Sequence, residues 1–138
     1  MKIETAEDMV ELGYEIGRKL KSGEIFELVG DVGAGKTTFT HGLAKGLGVT
    51  DAVQSPSFTI SCNYPARDGL VLNHYDFYRL NDPGIVAMEL ADSLDDPKAV
   101  TVIEWGEGVR DILPPHTTIK FSYLPDQGRE VEIIKPTI

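Results

Sequence analysis

The spacing of apolar residues changes period along the chain, and each change marks an element. Thr5 followed by Asp8 resembles a helix-capping pair, with Asp in place of the usual Glu. Met9, Gly13, Ile16 and Leu20 then recur at helical spacing, which predicts an amphipathic helix over residues 6–20, ended by the Ser-Gly at 22–23. Residues 24–29 read as a buried strand, and residues 37–47 as a second helix stopped by Gly48. Over 52–75 the pattern turns β-like: SFTISCNY and LVLNHYD flank the turn PARDG, predicting an antiparallel hairpin. A short helix at about 83–91 leads to a second buried strand, AVTVIEW. TTIKFSYL and REVEIIK, split by PDQG, predict a closing hairpin. With no repeat, low-complexity tract or linker, residues 1–138 read as one α/β domain: a mixed, mostly parallel sheet flanked by helices and edged by antiparallel hairpins.

Composition changes this picture in two places. The 13 basic and 22 acidic residues leave a formal charge of −9, which argues against a grip on nucleic-acid phosphates spread over the surface. Any anion site is therefore expected to be local and built largely from backbone, and no DNA binding is expected. Cys62 is the single cysteine, which excludes an intrachain disulfide and a cysteine zinc cluster. The first residues carry acids where a secretion signal needs positive charge, and no run approaches the length of a membrane helix. A cytoplasmic protein with no membrane contact is the expectation.

Candidate chemistry lies between the first strand and the second helix. Gly30, Asp31, Val32, Gly33, Ala34, Gly35, Lys36, Thr37 and Thr38 spell G-x-x-x-x-G-K-T plus one further Thr, the phosphate-binding loop pattern. Its glycines let backbone N–H groups point inward at a phosphate, and the helix N-terminus adds partial positive charge. Lys36 is expected to face solvent in the empty loop and to reach the outer phosphates, with Thr37 offering its hydroxyl to Mg²⁺. Such a site needs a carboxylate at the end of a neighbouring strand. LVLNHYD ends in Asp76 and AVTVIE ends in Glu104, and both fit. A turn-starting role for Asp76 and a helix-capping role for Glu104 ahead of GEGV are the structural alternatives. His74 shares a strand face with Asp76, as packing residue or catalyst. No Asn-Lys-x-Asp guanine motif occurs, which disfavours a Ras-type GTPase. Few arginines and no basic lid leave a small-molecule kinase poorly supplied, though it stands as the alternative enzyme. A nucleotide-dependent binding module that hydrolyses negligibly is the non-enzymatic reading.

GDVGAGKTTF, SPSF, HYDFYRL, VIEW and a late GRE occur in the order and spacing of the TsaE (YjeE) family, which the chain resembles from Thr5 onward. That resemblance implies a P-loop NTPase fold and an Mg²⁺-dependent ATPase, weak alone, that works with TsaB and TsaD in forming threonylcarbamoyladenosine in tRNA. Contact with tRNA would come indirectly, through the complex. It also implies that residues 33–38 hold the phosphates and that Thr37 and Glu104 bind Mg²⁺. Asp76 would sit beside the γ-phosphate as a Walker-B-like or water-orienting acid, with Lys36 and Glu104 completing the catalytic set. SPSF and HYDFYRL resemble nucleotide-sensing switches; Thr5 and Arg129 would contact the nucleoside end, and Trp105 would relay nucleotide state or pack in the core. Ser57 stands where the family more often has threonine, which keeps the hydroxyl.

Overall fold

The computed structural model describes residues 1–31, 33–50, 61–77 and 84–136. Its elements are β1 (Lys2–Ile3), α1 (Ala6–Lys19), β2 (Ile25–Val29), α2 (Lys36–Gly46), β3 (Ser61–Pro65), β4 (Val71–Asp76), α3 (Gly84–Leu94), β5 (Ala99–Glu104), β6 (Thr117–Tyr123) and β7 (Arg129–Ile134). Every predicted element that falls on described residues is present, most of them with ends moved by one or two residues. The helix predicted at 83–91 runs on to Leu94, and the first stretch of the hairpin, residues 51–60 with SPSF, lies outside the described residues. So do Val32 and residues 78–80 of HYDFYRL.

The strands form one seven-stranded sheet in the order β1-β7-β6-β2-β5-β4-β3. The central four, β6, β2, β5 and β4, are parallel, and β3, β7 and β1 add antiparallel pairings at the two edges. All six residues of β5 are buried, as expected for a strand covered on both faces. One face carries the larger core, where Phe26, Leu28, Val102 and Ile119 of the sheet meet Met9, Phe39 and Leu43 of α1 and α2. The other carries a smaller cluster in which α3 and the chain after β5 lie over Ile25, Tyr75 and Ile103. No described helix is long and apolar enough to cross a membrane.

Local chemistry accounts for the helix ends. Thr5 caps α1 by accepting the Asp8 backbone N–H at 3.1 Å, with Glu7 and Asp8 in the first turn and Arg18 and Lys19 in the last, matching the helix dipole. The hairpin turn at Arg67–Gly69 carries Arg67, whose guanidinium donates to the carbonyls of Leu20 (2.6 Å), Arg18 (2.9 Å), Gly17 (3.2 Å) and Gly46 (3.2 Å). One cation thus satisfies the C-terminal carbonyls of both α1 and α2.

The two helices touch backbone to backbone. A Cβ at Gly13 would stand 2.7 Å from Leu43 N, and one at Gly46 would stand 2.6 Å from Arg18 N; Gly17 and Gly42 are hemmed in the same way. Spacing of four residues on each helix places these glycines on one stripe, so each helix lies in the other's groove. Gly42→Ala is expected to lower stability by about 3 kcal/mol, because backbone rather than a movable side chain blocks the methyl. Urea unfolding checks this, and a loss much below that would mean that the helices separate cheaply.

Candidate functional site

The phosphate loop leaves the C-terminal end of β2 between two parallel neighbours, the place where an open α/β sheet leaves a crevice. Gly33 (φ 82°) and Gly35 (φ 114°) adopt left-handed backbone that side chains resist, and Gly35 is the N-cap of α2. Ala34 N–H donates to the Asp31 carbonyl at 3.1 Å and Phe39 N–H to the Gly35 carbonyl at 2.9 Å, closing the loop onto the helix. Ala34 is fully buried, whereas Thr37 is exposed and Thr38 half-buried in the first turn of α2.

Lys36 departs from expectation. It is 5% exposed rather than solvent-facing. Its ammonium donates to the Gly30 carbonyl at 2.6 Å and lies 3.9 Å from the centre of the Trp105 ring. A backbone carbonyl and an aromatic face together hold the cation. Burial holds its pKa below the ordinary lysine value, opposed by the negative charges of Glu104, Asp76, Asp31 and Glu107. Trp105 itself sits at φ 58°, an uncommon conformation for a bulky residue, just beyond the end of β5.

The two candidate acids end adjacent parallel strands, with Asp76 in register with Glu104 and Glu104 in register with Leu28 of β2. Glu104 is 4% exposed, and its Oε2 lies 2.5 Å from His74 Nε2. Facing an acceptor-only carboxylate, Nε2 carries the proton; Nδ1 is buried without a partner among the described residues. His74 is therefore the residue that orients Glu104, a role that its position two residues before Asp76 only hinted at. The N-cap of the 3₁₀ turn at Gly106–Ile112 is Trp105, which makes no side-chain cap bond. Asp76 is half-buried, and both acids act on Lys36 through their charge. Among the described residues no cluster of three His, Cys, Asp or Glu side chains is placed to hold a metal.

Thr5 and Arg129 come to the same loop through β1, a strand too short to be legible in the pattern. Ile3 pairs with Arg129 across β1 and β7. Arg129 donates to the carbonyls of Gln127 (2.6 Å), Gly128 (3.2 Å) and Gly33 (3.4 Å), and its guanidinium stacks 4.4 Å from the Tyr123 ring centre. A cavity of about 150 Å³ opens there, lined by Thr5, Met9, Gly33, Gly35, Thr38 and Arg129 among others. A second, of about 220 Å³, lies on the Lys36 side, between Gly30, Asp31, Trp105 and Glu107, with Glu27 in its wall.

Glu27 was no part of the expected site. It is 2% exposed on β2, and its Oε2 accepts from Arg110 Nε (2.8 Å) and Nη2 (2.7 Å), while Oε1 lies 2.9 Å from His116 Nε2. An acid inside the apolar run EIFELV was the available signal. Burial pushes its carboxyl up, but the bonds from Arg110 and His116 outweigh that and hold it below the usual range. A lowered carboxyl pKa contributes stability that is present above the unfolded value of about 4.3 and is lost as pH falls through the folded value. Glu27→Gln is accordingly expected to be less stable than wild type at pH 7, with the gap narrowing below about pH 4. Thermal melts across that range check it, and a gap that stays constant would show that the charge is not what matters.

A profile of the family described as "Threonylcarbamoyl adenosine biosynthesis protein TsaE" matches residues 3–131. A tRNA threonylcarbamoyladenosine biosynthesis protein TsaE from Treponema pallidum is 39% identical over 130 residues, covering 94% of this chain and 95% of the relative. The protein of that name from Streptomyces coelicolor is 48% identical over 104 residues, covering 72% of this chain and 68% of the relative. Among solved structures, the crystal structure of Bacillus subtilis YdiB superposes with a TM-score of 0.80 at 30% identity, over 99% of this chain and 84% of that one.

Proposed function

The chain belongs to the TsaE family, and from that footing we propose that it is a cytoplasmic, Mg²⁺-dependent ATPase subunit of tRNA threonylcarbamoyladenosine formation, acting with TsaB and TsaD. The family's name carries the pathway. The observation that supports the chemistry is the opposition of Lys36 and Thr37, at the N-terminus of α2, to Glu104 and Asp76, at the ends of adjacent strands.

In this reading the loop amides and the α2 N-terminus hold the β- and γ-phosphates, and Lys36 exchanges the Gly30 carbonyl for phosphate oxygen. Thr37 and Glu104 would hold Mg²⁺, which would supply positive charge beside the phosphates. His74 keeps the Glu104 carboxylate turned toward that position. Asp76 orients a water for in-line attack on the γ-phosphorus. The bond from γ-phosphorus to the bridging oxygen breaks, the electron pair leaves with ADP, and the water's proton passes to solvent by way of Asp76 or phosphate. Thr5 and Arg129 flank the nucleoside end. Among the described arginines, Arg110 is committed to Glu27 and Arg129 to carbonyls at the nucleoside end, so neither serves as an arginine finger in this reading and the isolated protein turns over slowly. TsaB and TsaD would supply the missing charge.

Three measurements test this. Lys36→Ala should lose ATP binding while staying folded, since an alanine at the helix start keeps good helix propensity. Unchanged affinity would end the loop assignment. Glu104→Ala should lose the Mg²⁺ dependence of nucleotide binding, whereas Asp76→Ala should bind normally but hydrolyse more slowly, about 10²-fold or more. The converse pattern would exchange the two roles. Adding TsaB and TsaD should raise phosphate release at least tenfold, about 1.4 kcal/mol of barrier. A rate unchanged by the bound partners would remove the accessory role.

A further inference from the structure

The connection from β5 to β6 must cross β2, because the sheet order is β6-β2-β5. It does so in the short stretch 105–116, on the face that carries Ile25 and Ile103, with a 3₁₀ turn at Gly106–Ile112 in place of a full α-helix. Only Val109 of that turn is a buried apolar side chain; Gly106 is buried too, and it has no room for a methyl, since a Cβ there would stand 2.9 Å from Ile103 Cγ2. Apolar packing of Trp105, Val109 and Leu113 ties the strap to the sheet, and ionic bonds add to it: Arg110 and His116 both converge on the buried carboxylate of Glu27. Glu27 is buried while the Arg110 side chain is 46% exposed, so the pair adds modest net stability, and its two-pronged guanidinium contact favours one geometry.

That geometry bears on the loop. Glu104 is held by the sheet and by His74, independently of the strap. Trp105 is the first residue off the sheet, at φ 58°, and its indole lies on the Lys36 ammonium. Glu27, Lys36, Trp105 and Gly106 line one cavity, so the latch and the cation face the same space. We propose that Glu27 and Arg110, assisted by His116, are positioning residues: they pin the strap so that Trp105 covers Lys36, and thereby oppose release of Lys36 to an incoming phosphate. The inference rests on the nucleotide-binding reading above. Breaking the latch loosens the cover of Trp105 on Lys36 and leaves the Thr37–Glu104 arrangement intact. Nucleotide then binds more tightly with its Mg²⁺ dependence unchanged.

Trp105 is the sole tryptophan of the chain, so intrinsic fluorescence reports on it alone. The experiment compares emission of the nucleotide-free proteins, then titrates Mg²⁺–ATP by calorimetry, for wild type, Arg110→Ala, Arg110→Lys and Arg67→Ala. Arg67→Ala is the control, since it unpins the helix ends far from the strap. Free Arg110→Ala should already show the emission of ATP-saturated wild type and bind ATP about threefold more tightly, the scale of one lost cation–π contact. Arg110→Lys should fall between, and Arg67→Ala should match wild type in both readings. A folded Arg110→Ala with wild-type emission, or an Arg67→Ala with the same shift, overturns the proposal. If Arg110→Ala does not fold, Glu27→Gln, which keeps the side-chain shape, carries the same expectation, and unchanged emission there overturns it equally. Should wild type itself not bind Mg²⁺–ATP, the nucleotide reading fails, while the spectra of Arg110→Ala and Arg110→Lys against nucleotide-free wild type still decide the latch.

Discussion

Four glycines, two on α1 and two on α2, bring the backbones of those helices into contact, and the placement of the phosphate loop follows from it. With no side chains between them at these positions, the two backbones meet directly. The N-terminus of α1 then lies beside that of α2, where Met9 packs against Gly35 and Thr5 lines the cavity at the loop. Arg67 closes the far ends of both helices onto the β3–β4 turn. The helix pair therefore packs as one unit, joined along its length and at its far ends, and the loop connects it to β2.

The sheet supplies the opposite wall of the site. Parallel register sets Leu28, Glu104 and Asp76 side by side at the strand ends, so the acids arrive at the loop because the strands are neighbours, not because they are near in sequence. The two acids have different surroundings. Glu104 is buried and bonded by a buried histidine, which suits a fixed ligand, while Asp76 is half-buried, which suits a group that must meet water.

Charge in this molecule is concentrated where the backbone cannot do the work alone. A net charge of −9 would repel a triphosphate at long range, yet the loop presents N–H groups, a helix N-terminus and Lys36 at contact distance. The buried Lys36 is held by two of the protein's own groups, the Gly30 carbonyl and the Trp105 ring.

The elements and the phosphate loop were legible from residues alone because they rest on local rules: period-two and helical spacing, a threonine cap, glycines at forced turns and a lysine at a helix start. The two strand-end acids were legible too, since parallel strands in such a sheet end on one side. Other features were not. The two-residue β1 exists only because β7 lies beside it, and through that pairing Thr5 and Arg129 meet at the loop. His74 grips Glu104 across a strand pair 30 residues apart in sequence, Lys36 withdraws from solvent, and Glu27 draws in Arg110 and His116 from more than 80 residues away. Each of these depends on which side chains the folded sheet brings within reach and on the need of a buried charge for a partner, and no spacing rule along the chain encodes either.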